Sequence, residues 1–301
     1  MDFPFTFRFV PAPAHLNPYV NTLTVFETDK AEITDAMPAY SAQLMLFWRG
    51  SAEMQFADGT VGHSSAAFLT TPMQRAHDFT IRGPARSIGI SITAMGWAAL
   101  TGIPVNESRD RVLTAHEALP AEMADGLVAL SNALRDGDVS EEAALDRMVQ
   151  LFEQHIKPLR DDHRHLIEVI NAWLSGNFNP KVEDLFEAAK LSARQVQRLS
   201  KRFFGQPPTQ LIKRFRAIRA GTMFADPNLT PEAKAVILDA YFDQAHLIRD
   251  LRYYTGRTPR MLESNLVAIG KHTLGSEGYG DIALIPENGE AEDEPSANDS
   301  Q

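Results

Sequence analysis

The chain has 301 residues, a formal net charge of −10 and no cysteine. Its 44% hydrophobic and 23% charged residues are ordinary for a globular protein, and its length favours two domains. The missing cysteines exclude disulfides, cysteine-ligated zinc, thiolate nucleophiles and iron–sulfur clusters. Because no apolar run is long enough to span a membrane and the N-terminus has no signal-peptide pattern, we expect a cytoplasmic protein without a membrane partner.

Positive charge is concentrated in one segment of the chain. Residues 163–265 hold 16 Lys and Arg against 10 Asp and Glu. Residues 1–162 hold 12 against 21, and residues 266–301 hold 1 against 8. Such an asymmetry is expected when one domain binds nucleic acid and the rest of the chain does not.

The first 93 residues have the pattern of β-strands. Ala42–Trp48 is a continuous apolar run, Glu53–Phe56 alternates, and Ile88, Ile90 and Ile92 share one face. Turn signals separate these runs at Arg49-Gly50, Asp58-Gly59 and Gly83-Pro84. This rhythm predicts a sandwich or a small barrel.

Helical spacing begins at Ala94, with helices expected around Met95–Thr101, Pro120–Arg135 and Ser140–Ile156. The last carries an apolar stripe that needs a partner, either the β-rich domain or a second subunit in a homodimer. The polar stretch Lys157–His165, which contains Pro158, places the domain boundary there. We therefore predict a domain over residues 1–157, a second over 163–265, and a disordered acidic tail over 286–301.

Seven consecutive helices fit the pattern of residues 163–265. They are His165–Ser175, Val182–Ala189, Ala193 to the residue before Gly205, Thr209–Phe224, Thr230–Ala240, Gln244–Tyr254 and a short helix opened by Thr258-Pro259.

The helix that starts at Ala193 has a basic face. Ser192 and Gln195 form a capping-box pattern, which marks its start. Val196, Leu199 and Phe203 fall on one side. The opposite side carries Arg194, Gln197, Arg198, Lys201 and Arg202. A short turn followed by such a helix is typical of helix-turn-helix units, whose second helix enters the major groove, although this helix alone fits a solvated basic face equally well.

The same arrangement recurs 51 residues later, which favours the DNA-binding interpretation. Asp243 caps the helix that starts at Gln244. Its inward positions are Leu247, Leu251 and Tyr254, and its outward positions include His246, Arg249 and Arg252. Both helices end at a glycine and are followed closely by proline.

Four stretches of this region resemble the AraC/XylS family of transcription regulators. They are Leu191–Leu199 (LSARQVQRL), Phe204–Pro208 (FGQPP), Tyr241–Arg249 (YFDQAHLIR) and Tyr254–Pro259 (YTGRTP). The β-rich N-terminal part is similar, less specifically, to the cupin-like sensor domains of such regulators. The fold class is therefore expected to be α+β: a β-rich, cupin-like N-terminal domain with appended helices, then an all-α C-terminal domain with two helix-turn-helix units.

The resemblance implies which side chains contact double-stranded DNA. Base-reading positions fall on Arg194, Gln197 and Arg198 in the first unit and on Gln244, Ala245 and Arg249 in the second. The other DNA-binding candidates are Lys201, Arg202, His246 and Arg252. Since Ala245 offers only an apolar contact, we expect the first unit to discriminate more strongly between sequences.

Three residues depart from the family pattern. Ser200 stands where an aromatic residue is common, Ala240 where glycine is usual, and Val236 where a small alanine allows close helix packing. These differences question the local packing, especially the turn before Gln244.

Other classes of function fit the sequence less well. His15, His63 and His77 lack the spacing of a barrel metal site, so we expect surface or hydrogen-bonded histidines and neither a metal nor a cofactor. We expect no enzyme, since the cysteine needed for alkyl transfer is missing and paired carboxylates are not found. A regulator acting only through protein contacts stays an alternative, as do a small-molecule effector and RNA polymerase as partners.

Overall fold

The computed structural model describes residues 5–264 and 269–274. The predicted tail over 286–301 lies outside these residues. The N-terminal part contains eight strands: β1 (Thr6–Val10), β2 (Val20–Thr28), β3 (Glu32–Met37), β4 (Ala42–Gln55), β5 (Val61–His63), β6 (Ala67–Thr70), β7 (His77–Ile92) and β8 (Val112–Thr114).

Two helices lie between β7 and β8, and every described element after β8 is a helix. The N-terminal part contributes α1 (Ala94–Thr101), α2 (Val105–Ser108), α3 (Ala115–Ala118), α4 (Ala121–Asp136) and α5 (Glu141–His155). The C-terminal part contributes α6 (Asp161–Gly176), α7 (Val182–Ala189), α8 (Ala193–Phe204), α9 (Pro208–Ala225), α10 (Pro231–Asp239), α11 (Gln244–Thr255), α12 (Pro259–Glu263) and α13 (Ile269–Thr273). A β-sheet region followed by an all-helical region confirms the predicted α+β class.

The strands form one antiparallel sheet whose order is β1-β2-β7-β4-β6-β8, with β3 paired to β7 and β5 to β4. Two of the three predicted turns are wrong, because β4 continues through Arg49-Gly50 and β7 through Gly83-Pro84. Gly50 has φ +77° and lies where the register of β4 and β7 shifts, so the glycine marks a bulge within a long strand. Asp58-Gly59 does lie in a turn, between β4 and β5.

The apolar stripe of α5 packs inside the chain. Leu145, Met148 and Phe152 are buried in a cluster that also contains Leu46 of β4 and Ile88 of β7. The stripe is therefore covered by the β-rich part, the first of the two partners considered for it, and is not left for a second subunit.

A second hydrophobic cluster joins the two parts of the chain. Most of its members belong to α6–α12, but Ala39, Tyr40 and Met95 of the N-terminal part are buried in it as well. The C-terminal helices thus pack directly on the loop after β3 and on α1. No described helix is long and apolar enough to cross a membrane.

Candidate nucleic-acid interface

Side-chain caps fix the start of both candidate reading helices. At α8 the Gln195 backbone N–H donates to Ser192 Oγ (3.3 Å), and the Ser192 N–H donates to Gln195 Oε1 (3.0 Å). At α11 the His246 N–H donates to Asp243 Oδ1 (2.6 Å). Because capping satisfies the free N–H groups of the first turn, the sequence places each helix start where the structure has it.

Helix α8 separates an apolar face from a basic face, as predicted. Val196, Leu199 and Phe203 are buried. Of the five candidate DNA-binding residues on this helix, Arg194, Gln197, Arg198 and Lys201 are exposed and Arg202 is half-buried. The guanidinium of Arg202 lies 5.9 Å from the Phe203 ring centroid. Four side chains with base-reading or phosphate-binding chemistry are therefore available on one face.

Helix α11 repeats this division. Leu247, Leu251 and Tyr254 are buried. The candidate residues Gln244, Ala245, Arg249 and Arg252 are exposed, and His246 is half-buried. Arg249 Nε donates to the Ala245 carbonyl (3.2 Å), so its guanidinium lies back along its own helix.

The long helix α9 joins the two units through arginines that face inward. Arg216 donates to the Ala240 carbonyl (3.1 Å) and to Asp250 Oδ2 (3.3 Å), and it stacks 4.3 Å from the Tyr241 ring centroid. Arg219 is buried and donates to the Asn177 carbonyl (2.8 Å), and burial lowers its pKa to about 10. Part of the positive charge counted in this segment thus holds helices together and cannot reach phosphate.

The three departures from the family pattern have local explanations. Ser200 is fully buried and donates to the Gln206 carbonyl (2.7 Å), so a hydrogen bond replaces aromatic packing. Ala240 has φ −76°, a conformation that needs no glycine. Val236 is 52% exposed and leaves the α10 contact unobstructed.

Both reading helices end against the N-terminal part. At the end of α8, Arg109 Nη1 donates to the Gly205 carbonyl (3.3 Å). At the end of α11, the Ala39 N–H donates to the Tyr254 carbonyl (2.8 Å), and the Ala76 N–H donates to the Tyr253 carbonyl (2.8 Å). The C-terminal ends of α8 and α11 are thereby both hydrogen-bonded to loops of the N-terminal part.

Helix α2 also lies against α8. Together they border a groove of about 540 Å³. Asn106 and Glu107 line it from the N-terminal part, and Arg194, Gln197 and Arg198 line it from α8. An acidic side chain thus shares a groove with the base-reading candidates of the first unit.

The three N-terminal histidines do not come together. His15 pairs with Glu153 (3.0 Å), and His77 pairs with Asp110 (3.0 Å). His63 lies on β5, in register with Glu53. Within residues 5–264 and 269–274, no three His, Asp or Glu residues are grouped closely enough to hold a metal ion.

One exposed side chain of this surface was not predicted. Phe242 directly precedes the cap of α11 and is 93% exposed. Its position in the YFDQAHLIR stretch could have indicated it, since the residue before an N-cap lies beside the first turn of the helix.

Fold and surface together define a class of protein: a β-sheet region followed by two helix-turn-helix units that share one connecting helix. Solved structures similar to this chain include ToxT from Vibrio cholerae, at 9% identity and a TM-score of 0.44 over 87% of this chain and 99% of that one. An apo ToxT variant from the same organism has 11% sequence identity and a TM-score of 0.46, and the match covers 80% of this chain and 95% of that one. The AraC-like transcriptional activator CuxR has 12% sequence identity and a TM-score of 0.31, and the match covers 70% of this chain and 80% of that one. No protein-family model and no curated protein matches the chain.

Proposed function

We propose that this protein is a transcription regulator that binds a specific sequence of double-stranded DNA through α8 and α11, under the control of a small molecule bound in the N-terminal part. The observation that carries this proposal is the repetition, in one chain, of a capped helix with a buried apolar face and an exposed basic or amide-bearing face. The AraC/XylS-like stretches include the first turns and the ends of both helices. The proposed division is a ligand-binding domain over residues 1–157 and a DNA-binding domain over 163–265.

The chemistry of the exposed side chains assigns a role to each. Arg194, Arg198 and Arg249 can donate two hydrogen bonds to guanine, and Gln197 and Gln244 can pair with adenine. Ala245 can contact only a thymine methyl group. Phosphates are the proposed partners of Lys201, Arg202, His246 and Arg252.

Helix α9 sets the distance between the two units. Its contacts through Arg216 and Arg219 reach the last turn of α6, α11 and the turn after α10, so the units are held in a fixed relation. Two reading helices in successive major grooves must lie about one DNA turn apart, roughly 34 Å. A rigid connection therefore requires the DNA to bend wherever its groove spacing does not match.

Substitutions in the reading face of α8 test the proposal directly. The preferred site is first selected from random duplexes, and each variant is then titrated against that site and a scrambled duplex at two salt concentrations. Arg194→Ala and Gln197→Ala each remove base contacts, so we expect a loss of about 1 to 3 kcal/mol on the preferred site and little change on scrambled DNA. Arg252→Ala should weaken both duplexes alike and lower the salt slope by about one unit.

Arg164→Ala is the matched control, because Arg164 is exposed on α6 and pairs with the neighbouring Asp161 (2.7 Å). It should leave both affinities unchanged. If Arg194→Ala and Gln197→Ala behave like this control, α8 does not read sequence. If the wild-type protein shows no salt-dependent retention on duplex DNA, the alternative of a regulator acting only through protein contacts replaces this proposal.

A further inference from the structure

The N-terminal sheet curls around an apolar cavity of about 130 Å³, here called the sheet cavity. Residues from all eight strands line it, and 11 of the 24 described lining residues are phenylalanine, methionine or isoleucine. Phe26, Phe68 and Phe79 belong to three different strands and meet around this space. Such a concave apolar site with a few polar groups is the usual form of a small-molecule pocket.

The polar groups of the sheet cavity favour an uncharged ligand. The described residues that line it include no Lys, Arg or His, and the one carboxylate among them, Glu53, accepts a hydrogen bond from Arg82 (3.0 Å). The Ser87 hydroxyl lines the cavity, is buried and has no hydrogen-bond partner within residues 5–264 and 269–274. An anion would lie there without a counter-charge at high cost, whereas a neutral hydroxyl or carbonyl group could pair with Ser87.

Helix α13 closes one side of the sheet cavity. Ile269 and Thr273 are the lining residues that come from outside the N-terminal part. Ile269 is 3% exposed and packs in the same cluster as Phe26 and Phe79. Tyr40 donates a hydrogen bond to Thr273 Oγ1 (3.0 Å), which holds the other end of the helix.

The contact that anchors α13 also anchors the second helix-turn-helix unit. Asp35 accepts a hydrogen bond from the Gly270 N–H (2.8 Å) and forms an ion pair with Arg257. Arg257 directly follows Gly256, which ends α11, and it also donates to the Ala36 carbonyl (3.0 Å). One carboxylate of the N-terminal part therefore holds both the closing helix and the end of a reading helix.

The size of the sheet cavity limits what can enter while α13 is in place. An apolar cavity of roughly 150 Å³ is known to hold a single benzene ring. At about 130 Å³ the sheet cavity is no larger, so a bigger ligand requires part of the lining to move, and Ile269 is held by a short helix rather than by the sheet.

We propose that α13 is a plug: a neutral, mostly apolar molecule larger than one aromatic ring enters the sheet cavity by displacing α13, and thereby loosens the Asp35–Arg257 link to the second unit. This inference rests on the proposed function for its consequence on DNA. The binding site and its coupling to Arg257 stand on the contacts alone.

The substitution Gly270→Ala tests whether α13 blocks entry to the sheet cavity. A Cβ atom on Gly270 would meet the Ala36 carbonyl oxygen at 2.5 Å and Arg257 Nη1 at 2.5 Å, so Gly270→Ala should undock α13. The matched control is Gly176→Ala, because a Cβ atom there meets nothing within 4 Å. The full chain is titrated with N-phenyl-1-naphthylamine, a neutral two-part aromatic probe whose fluorescence rises in apolar surroundings. We expect Gly270→Ala to bind it at least tenfold more tightly than the wild type, and Gly176→Ala to match the wild type.

A second variant keeps the test decisive if Gly270→Ala does not fold. Ile269→Ala shortens the plugging side chain and leaves the Gly270 N–H bond to Asp35 in place, so it should also raise probe affinity. Unchanged or weaker probe binding in a folded variant of either kind contradicts the plug.

Competition by two ligands with alkyl chains of equal length, one neutral and one charged, tests the ligand class. Dodecanol should displace the probe at least tenfold better than dodecanoate, since only the carboxylate brings a charge into the cavity. Equal competition by dodecanoate would overturn the assignment to neutral ligands.

Hydrogen exchange reads the coupling without DNA. Dodecanol should speed the exchange of the amides of residues 251–263 in the wild type. Unchanged exchange would mean that the cavity does not communicate with Arg257. If these results hold but duplex DNA is not bound, the proposed function fails and the plug remains.

Discussion

Phe242 leaves 93% of its surface in water, although it lies next to the first turn of a candidate reading helix. Its neighbours Gln244 and Ala245 are exposed too. Apolar side chains beside base edges commonly contact the methyl group of thymine. We therefore expect Phe242→Ala to weaken binding to the preferred site by about 1 kcal/mol, with the free energy of unfolding changed by less than about 0.5 kcal/mol.

The loss should vanish when thymines opposite α11 are replaced by uracil, which lacks the methyl group. Leu238→Ala is the control, since Leu238 is 44% exposed on α10, in the same unit. Equal losses for both variants, or a loss that persists with uracil, would show that Phe242 does not read thymine.

Tyr254 links a buried phenol to the pH dependence of stability. Burial raises its pKa to about 12, whereas an unfolded tyrosine ionises near pH 10. Since the folded pKa is the higher one, its contribution is fully present below about pH 10 and is lost as the pH rises through about 12. Tyr254→Phe should therefore retain more stability than the wild type between pH 10 and 12, by up to about 2 kcal/mol.

Denaturant unfolding followed at a series of alkaline pH values checks this expectation. Tyr253→Phe is the matched variant, because Tyr253 is the adjacent residue and 45% exposed. If the alkaline loss of stability is the same in Tyr254→Phe as in Tyr253→Phe, the phenol of Tyr254 does not cause it.

The positive side chains of α9 lie in two different environments, one buried and one exposed. Arg216 is largely buried against Asp250 and Tyr241, whereas Lys213 on the same helix is exposed. Arg216→Met leaves Asp250 and the Ala240 carbonyl without this donor, so we expect a loss of about 2 to 4 kcal/mol in unfolding free energy. The salt slope of DNA binding should stay unchanged, because Arg216 is not available to phosphate.

Lys213→Met removes the same charge from the same helix and should leave stability within about 0.5 kcal/mol of the wild type. Chemical denaturation gives the stabilities, and DNA titrations at several salt concentrations give the slopes. A fall in salt slope for Arg216→Met in the folded state would show that this arginine reaches DNA.

Local signals predicted the helices of the C-terminal part well. The bounds of α7 and the starts of α8 and α11 follow from caps and apolar spacing within one helical turn. The turn predicted at Gly50 was wrong because a glycine with positive φ serves a bulge as well as a turn, and only pairing with β7 distinguishes the two. Helix α13 was not predicted, since Ile269 is buried by Phe26 and other distant residues rather than by its own neighbours.

For the candidate surface, too, the sequence predicted some features and missed others, and the missed ones concern the positions of the arginines. The sequence indicated which residues of α8 and α11 face outward, because helical spacing fixes the buried side. It could not indicate that Arg216, Arg219 and Arg257 are inward, since their partners are carbonyl groups and carboxylates elsewhere in the chain. A charge count treats all arginines alike, and only the fold divides them.

At the scale of the whole molecule, the N-terminal part sits beside the first reading helix. Glu107 shares a groove with Arg194 and Arg198 and is exposed. With the proposed placement of α8 on DNA, an acidic group there competes with phosphate for these arginines. We expect Glu107→Gln to raise affinity for scrambled duplex DNA about two- to fivefold at low salt, with a smaller effect at high salt.

Glu122→Gln makes the same change at an exposed position of α4, away from that groove, and should have no effect. Fluorescence anisotropy at two salt concentrations measures both variants. If the two glutamines have equal effects, the gain reflects net charge and α2 does not influence α8.

The first strand and the last described helix meet although they are 265 positions apart: His272 is hydrogen-bonded to the Phe7 carbonyl (3.2 Å) and stacks on Phe9. During translation the strands leave the ribosome long before α13 does, and domains generally begin to fold in that order. The apolar interior of the nascent sheet therefore stays open on one side until both helix-turn-helix units have been made. A molecule that fits this interior meets its least obstructed form on the ribosome, so ligand present during synthesis reaches it without having to displace Ile269.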